Sequence, residues 1–156
     1  MTDSPTIRPA QLTDQDAILE LLPQLADFDV PEKRNPRHLW EGDAALVQKL
    51  LAGEPTDSFC DVAVSDDVVQ AVILVTMREE IMSHAPSAHL EAIVVHPDAR
   101  GLGLGQRMLA HCEERVRALG AKSLSLHVFA NNQRARGLYR ANGFDEELIR
   151  DIKWLE

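Results

Sequence analysis

Val94-Val95-His96-Pro97-Asp98-Ala99-Arg100-Gly101-Leu102-Gly103-Leu104-Gly105-Gln106-Arg107 is the stretch on which the reading of this chain turns. A β-branched run stops at a proline, three glycines alternate, and an amphipathic helix begins at once. Glycine lets the chain turn sharply and leaves no side chain to block a ligand. The unpaired N–H groups at the helix start then point outward, and the helix dipole favours an anion there. A pyrophosphate suits such a turn, with Arg100 and Arg107 as added charge. Spacing separates this pattern from better-known glycine loops. The dinucleotide fingerprint GxGxxG needs its third glycine one residue later and an acidic residue about twenty positions on, where Lys122 lies. The P-loop needs Gly-Lys-Ser/Thr, and here Gly105-Gln106-Arg107 stands. The kinase loop belongs to a hairpin.

Moving outward, Gly103 to Leu119 reads as a helix with Leu104, Met108, Cys112, Val116 and Leu119 on one side and Gly120 as its C′ residue. Ser123 to Phe129 reads as a strand. Asn132 caps a short helix running through Asn142 and ended by Gly143, and Phe144 to Trp154 reads as one last strand or a pair. Toward the N-terminus, Leu90 to His96 is a strand. Asp61 to Ser65 and Val68 to Met77 form a hairpin about Asp66-Asp67. Earlier still come Ile7 to Pro9 as a first strand and a helix with Ile18, Leu21, Leu22, Leu25 and Phe28, with Thr13 and Asp16 as its capping box. A second helix starts at Asn35-Pro36, carries Leu39, Trp40, Val47, Leu50 and Leu51, has Gly42 as a break point, and ends at Gly53 and Pro55. The expected fold is α+β: a mixed, mostly antiparallel sheet of about six or seven strands with about four helices. Residues 1–156 are expected to form a single domain, unstructured only over Met1 to Thr6.

The 156 residues carry a net charge of −9, which argues against a nucleic-acid partner and fits a cationic one. Eight of the sixteen Lys and Arg nevertheless fall between 100 and 140, beside only Glu113 and Glu114, so the one basic stretch surrounds the glycine turn. Cys60 and Cys112 form no CxxC and read as buried thiols. The histidines show no zinc spacing, so no metal is expected. No apolar run is long enough to span a membrane and the N-terminus has no leader pattern, so a cytoplasmic protein is expected.

Arg100-Gly101-Leu102-Gly103-Leu104-Gly105 resembles the Arg/Gln-x-x-Gly-x-Gly/Ala loop of the Gcn5-related N-acetyltransferase (GNAT) family. A second block, Asn132-Gln133-Arg134-Ala135 with Leu138-Tyr139 and Gly143-Phe144, resembles that family's Asn-x-x-Ala-x-x-Leu-Tyr-x-x-x-Gly-Phe. The resemblance is clearest over residues 88 to 146. It implies acetyl-CoA as co-substrate, with the pyrophosphate on the backbone of Arg100, Gly101, Leu102, Gly103, Leu104 and Gly105, continuing to Gln106 and Arg107. It implies a bulged strand splayed from its neighbour, with the pantetheine arm against Ile93, Val94 and Val95. Asn132 matches the asparagine that contacts the arm. Arg134, Arg136 and Arg140 are expected near the adenosine end, at least one of them solvated. Gln70-Ala71 departs from the family, many members of which carry a glycine there.

Tyr139 matches the family's proposed general acid. A phenol with a pKa of about 10 stays protonated at neutral pH and can supply a departing thiolate. A lysine-type amine, with a pKa of about 10.4, must lose a proton before it attacks. Glu91 and His89, two apart on a strand, share one face and are the first two candidates to take that proton. His127 is the third, from the next strand. Glu79 and Glu80 read as a solvated turn rather than as part of the acceptor site. The leading expectation is direct acetyl transfer to a primary amine of a small molecule. A protein N-terminus or lysine as acceptor, and a non-catalytic acyl-CoA sensor, are the alternatives. The family often dimerises, and Leu148 to Leu155 is the segment expected to pair across a homodimer edge.

Overall fold

The computed structural model describes residues 4–156. Five strands are found among them, not six or seven: β1 (Thr6–Pro9), β2 (Ser58–Ser65), β3 (Val68–Glu79), β4 (Pro86–Val95) and β5 (Leu124–Leu126). They lie side by side in chain order, antiparallel except for the parallel pair β4·β5. Four α-helices accompany them: α1 (Gln15–Leu21), α2 (Glu41–Leu51), α3 (Leu104–Ala118) and α4 (Gln133–Ala141). The class is α+β. Met1 to Asp3 lie outside the described residues. Thr6, expected to be unstructured, already pairs with Val64.

The sheet has a core on each face, which is what alternating side chains on a two-sided sheet require. On one face Ile73, Val75, Ala88 and Leu90 meet Leu104, Met108, Leu109, Cys112 and Val116 of α3, with Leu138 and Tyr139 of α4 at the margin. On the other, Val72, Leu74, Ala92 and Val94 meet Ile18, Leu21 and Leu22, and Val47 of α2. Leu119, expected on the buried side of α3, is 56% exposed because the helix ends one residue earlier and Gly120, at φ +96°, turns the chain away. The hairpin turn is as expected: Asp66 and Asp67 both take positive φ, the conformation of the two-residue turn that matches sheet twist.

Four local expectations are corrected. The bond that starts the first helical stretch is made by Asp14, whose carboxylate accepts the Gln11 N–H at 2.7 Å, rather than by Thr13 and Asp16. Asp14 is held there by Arg8 on β1 at 2.7 Å, a long-range partner that local spacing does not reveal. Gly42 does not break the second helix. The interruption falls at Trp40, between a 3-10 turn over Pro36–Leu39 and α2. The strand expected over Phe144 to Trp154 is absent, and the one expected over Ser123 to Phe129 shortens to three residues. A strand exists only where a ladder partner does. The β4·β5 ladder stops at Leu90 and Leu126. Beyond it the tail runs over the surface: Glu146 pairs with Arg136 and Arg140, Arg34 lies over the Trp154 ring, and Lys33 reaches the Glu156 carbonyl.

Buried charge on the α3 side is paired. Asp61 of β2 is fully buried, accepts from His111 at 2.7 Å and is bonded to Arg115, whose guanidinium also lies 3.9 Å from the centre of the Phe59 ring. Cys60 and Cys112 are free and buried as expected, and burial pushes both thiols up to about 12, so neither is a ready nucleophile.

Candidate active site

The end of the β4·β5 ladder makes the site. After Leu90 and Leu126 the two strands part, so Ile93, Val94 and Val95 keep β3 on one side and, among the described residues, have no strand on the other. A free strand edge offers backbone donors and acceptors to a ligand lying alongside it. The β3·β4 register slips between Leu74 and Val75, leaving Glu91 as the extra residue of a β-bulge. The bulge re-aims the side chains on either side of it. Leu90 faces α3, whereas Ala92 and Val94 face α1 and α2.

A cavity of about 390 Å³ opens at this split. It is lined by Ile93, Val94 and Val95 along the free edge, by Arg100, Gly101, Gly103, Leu104, Gly105 and Gln106 at the turn and helix start, and by Asn132 and Tyr139 from α4. Gly101 and Gly103 take φ of +79° and +78°, the left-handed region in which any other residue is strained, and an added Cβ on either would meet nothing. Gly105 is different: its Cβ would stand at ordinary contact distance, 3.4 Å from Leu138 and 3.8 Å from Val95, so neither its backbone nor its packing demands glycine.

Two residues expected at the cofactor do not line the cavity. Leu102 is 79% exposed on the outer side of the turn. Arg107 is turned toward the N-terminal segment, donating to Ser4 Oγ at 3.1 Å and the Pro5 carbonyl at 2.9 Å. Arg134 does line it, while Arg136 and Arg140 are drawn to Glu146: Arg140 is solvated, and Arg136 is half-buried and also donates to the Ala130 carbonyl at 2.7 Å. Asn132 Oδ1 accepts the Ala135 N–H at 3.3 Å, so its carbonyl caps α4, and its Nδ2 protons are available to a ligand. Burial pushes the Tyr139 phenol up to about 12, which keeps it protonated throughout the physiological range.

The three proton-acceptor candidates differ sharply. His89 is 4% exposed, and its Nδ1 receives both Ser125 Oγ, at 2.8 Å, and Arg78 Nη2, at 3.1 Å. A guanidinium only donates, so Nδ1 is the acceptor and the ring proton sits on Nε2. Burial, then the Arg78 charge and His127, push its pKa down to about 4. His89 is therefore neutral at pH 7 with its basic nitrogen occupied. His127 stacks edge-on against it at 4.7 Å between ring centres and is exposed. Glu91 sits on the bulge, next to the free edge. Glu79 is exposed, and Glu80 accepts from the Met82 and Ser83 N–H groups, closing the turn expected of it.

Sequence reasoning missed Asp43. It lies four residues before Val47 on α2, and so on the helix face that packs against Ala92 and Val94. Burial, and then the Glu91 charge, push its carboxyl up to about 7. It missed Gln24 and Asp27 as well, which line the cavity from the segment after α1 beside Leu25, a residue read only as an apolar position of the first helix. No local pattern marks Asp43, Gln24 and Asp27, because their partners are 48 or more positions away along the chain.

The site is thus a split parallel strand pair closed at one end by a glycine turn and a helix start, with a phenol on one wall and a bulge carboxylate two residues before the first lining residue of β4, itself outside the cavity lining. The chain belongs to the Acetyltransferase (GNAT) family, whose sequence profile matches residues 18–144. Among curated relatives, the N-acetyltransferase YycN of Bacillus subtilis (strain 168) is 49% identical over 47 residues, so the chain spans only 30% of that relative's length, and 30% of this chain is matched. The aminoglycoside N(6')-acetyltransferase type 1 of Stenotrophomonas maltophilia is 26% identical over 147 residues, 94% of this chain and 90% of that protein. Among solved structures, aminoglycoside N-acetyltransferase AAC(6')-Iy in complex with CoA superposes with a TM-score of 0.73 at 20% identity, over 100% of this chain and 96% of that one.

Proposed function

We propose that the whole chain is one cytoplasmic N-acetyltransferase domain that passes the acetyl group of acetyl-CoA directly to a primary amine of a small molecule. The observation that carries this reading is the cavity that gathers the glycine turn, the free edge of β4 and Tyr139 in one place. A coenzyme A pyrophosphate suits the α3 start, with Arg100 and Arg134 beside it. The free edge of Ile93 to Val95 suits the amide-rich arm, and leads it toward the bulge at Glu91.

The residues then divide the work. The amine nitrogen forms a bond to the thioester carbonyl carbon and the C–S bond breaks. Glu91 takes the amine proton, directly or through water, and Tyr139 gives its proton to the sulfur. Most of the rate gain is positional, since two reactants are held in attack geometry. His89 supports the site as a neutral group held by Ser125 and Arg78 rather than as the base, and His127 is left as the alternative proton acceptor. A relative matched over 90% of its length and named for aminoglycoside acetylation favours a small-molecule acceptor over a peptide. We also propose that the exposed apolar tail, with Leu148, Ile149 and Leu155, is covered in a homodimer. A monomeric mass in solution would contradict that.

The direct test is thiol release from acetyl-CoA in the presence of polyamines, amino acids, aminoglycosides, or peptides with a free N-terminus. Turnover with a small amine supports the reading. Turnover with peptides alone moves the acceptor to the protein class, and binding without turnover moves the chain to a sensor.

A further inference from the structure

The anion site already holds a carboxylate of the chain itself. Asp27 Oδ2 accepts from Arg100 Nη1 at 3.0 Å and lies 3.6 Å from Arg134 Nη2, which also reaches the Asp27 carbonyl at 3.5 Å. Gln24 Oε1 accepts from the other Arg100 nitrogen at 3.3 Å. All four residues line the same cavity as Gly101, Gly103 and Gln106. The Arg100 guanidinium holds the Asp27 carboxyl below the usual carboxylate range, with Arg134 adding to it. Two nearby contacts tether the segment that carries Asp27: Phe28 stacks on Phe129 at 5.5 Å, and Asn131 Nδ2 donates to the Asp29 carbonyl at 2.6 Å.

We propose that Asp27 is a resident counter-anion of the cofactor site, displaced by the incoming diphosphate, and that it sets the minimum charge a ligand must bring. The inference rests on the coenzyme A reading above. One carboxylate against two guanidiniums leaves a single net positive charge. A monoanion such as chloride meets arginines already satisfied by a tethered group of high effective concentration. A diphosphate brings at least two charges and also takes the N–H groups of the α3 start, with which Asp27 makes no bond among the described residues. Asp27 is thus a specificity-determining residue acting through Arg100 and Arg134: it screens out simple anions and yields to a polyanion.

The test is calorimetric titration of wild type, Asp27→Asn and Asp27→Glu with coenzyme A over a range of chloride concentrations. Exposed pairs of this kind are weak, so the expected gain is modest. Asp27→Asn should bind about three- to tenfold more tightly at low salt. Its affinity should also fall more steeply with chloride, because its arginines then carry chloride that the ligand must release. Asp27→Glu should behave as wild type. A loss of binding caused by misfolding could not mimic a gain. Equal or weaker binding by Asp27→Asn with an unchanged chloride slope overturns the proposal and makes Asp27 a mere support for the arginines, while leaving the cofactor reading intact. No binding by any of the three proteins overturns both.

Discussion

The two ends of the site that runs along β4, from its C-terminus to the bulge in mid-strand, are electrostatic opposites. At its C-terminal end, Arg100 and Arg134 face the cavity and share Asp27 as counter-ion. Around the bulge, Asp43 and Glu91 bring two carboxylates near each other, and among the described residues no cation forms an ion pair with either. On the proposed function, the first end meets the polyanionic cofactor and the second meets the amine-bearing acceptor. The difference also explains what the sequence discloses. The glycine turn and helix start at the first end are contiguous, so their spacing discloses them, whereas Asp27 at the same end is 73 residues from Arg100. The carboxylate end joins α2 to a strand 48 residues later, so nothing local announces it.

The sharpest way to break this contrast is at the phenol between the two ends. Tyr139→Phe keeps the packing against Phe144 but removes the proton, so kcat should fall about 10²-fold or more with coenzyme A affinity unchanged. Loss of affinity with kcat preserved would make Tyr139 a wall of the cavity and no more.

Next in size is a stability effect at the paired interior charge, the counterpart of the unpaired carboxylates. Arg115→Met leaves the fully buried Asp61 with His111 alone. Unfolding free energy should drop by about 3 kcal/mol, a fall in Tm of roughly 10 °C for a domain of this size. An unchanged melting curve would show that His111 suffices.

The smallest effect concerns Asp43. Its folded pKa of about 7 stands above that of an unfolded aspartate, so the folded state keeps a proton that the unfolded state gives up. Stability from this group is therefore full below pH 4 and lost as pH rises through about 7. Asp43→Asn should raise Tm at pH 8 and leave it nearly unchanged at pH 4. A variant less stable at pH 8 would mean that Asp43 is paired after all.

Most of the fold was legible because its signals are local. Asn35 and Pro36 start a helical turn as read, Gly53, Gly120 and Gly143 end helices with positive φ, and Asp66-Asp67 makes the hairpin. What failed was long-range. Phe144 to Trp154 reads as a strand or a pair of strands, but the edge it would need ends at Leu126. Arg107 has the right position to meet an anion and is turned instead to Ser4 and Pro5. His89 reads as a base by its place on β4, and only Arg78 and Ser125, on the strands to either side, reveal that its lone pair is taken.

The central claim is that the α3 start holds the pyrophosphate of acetyl-CoA. Substitution at Gly103 would strain the left-handed turn, whereas Gln106 sits in regular helix, exposed and on the cavity wall. Calorimetric titration of wild type and Gln106→Glu with acetyl-CoA therefore tests it most directly. The account predicts binding by wild type and at least about tenfold weaker binding by the variant, from one negative charge placed against the phosphates, with Tm unchanged. Equal binding by both proteins, or none by the folded wild type, would contradict it.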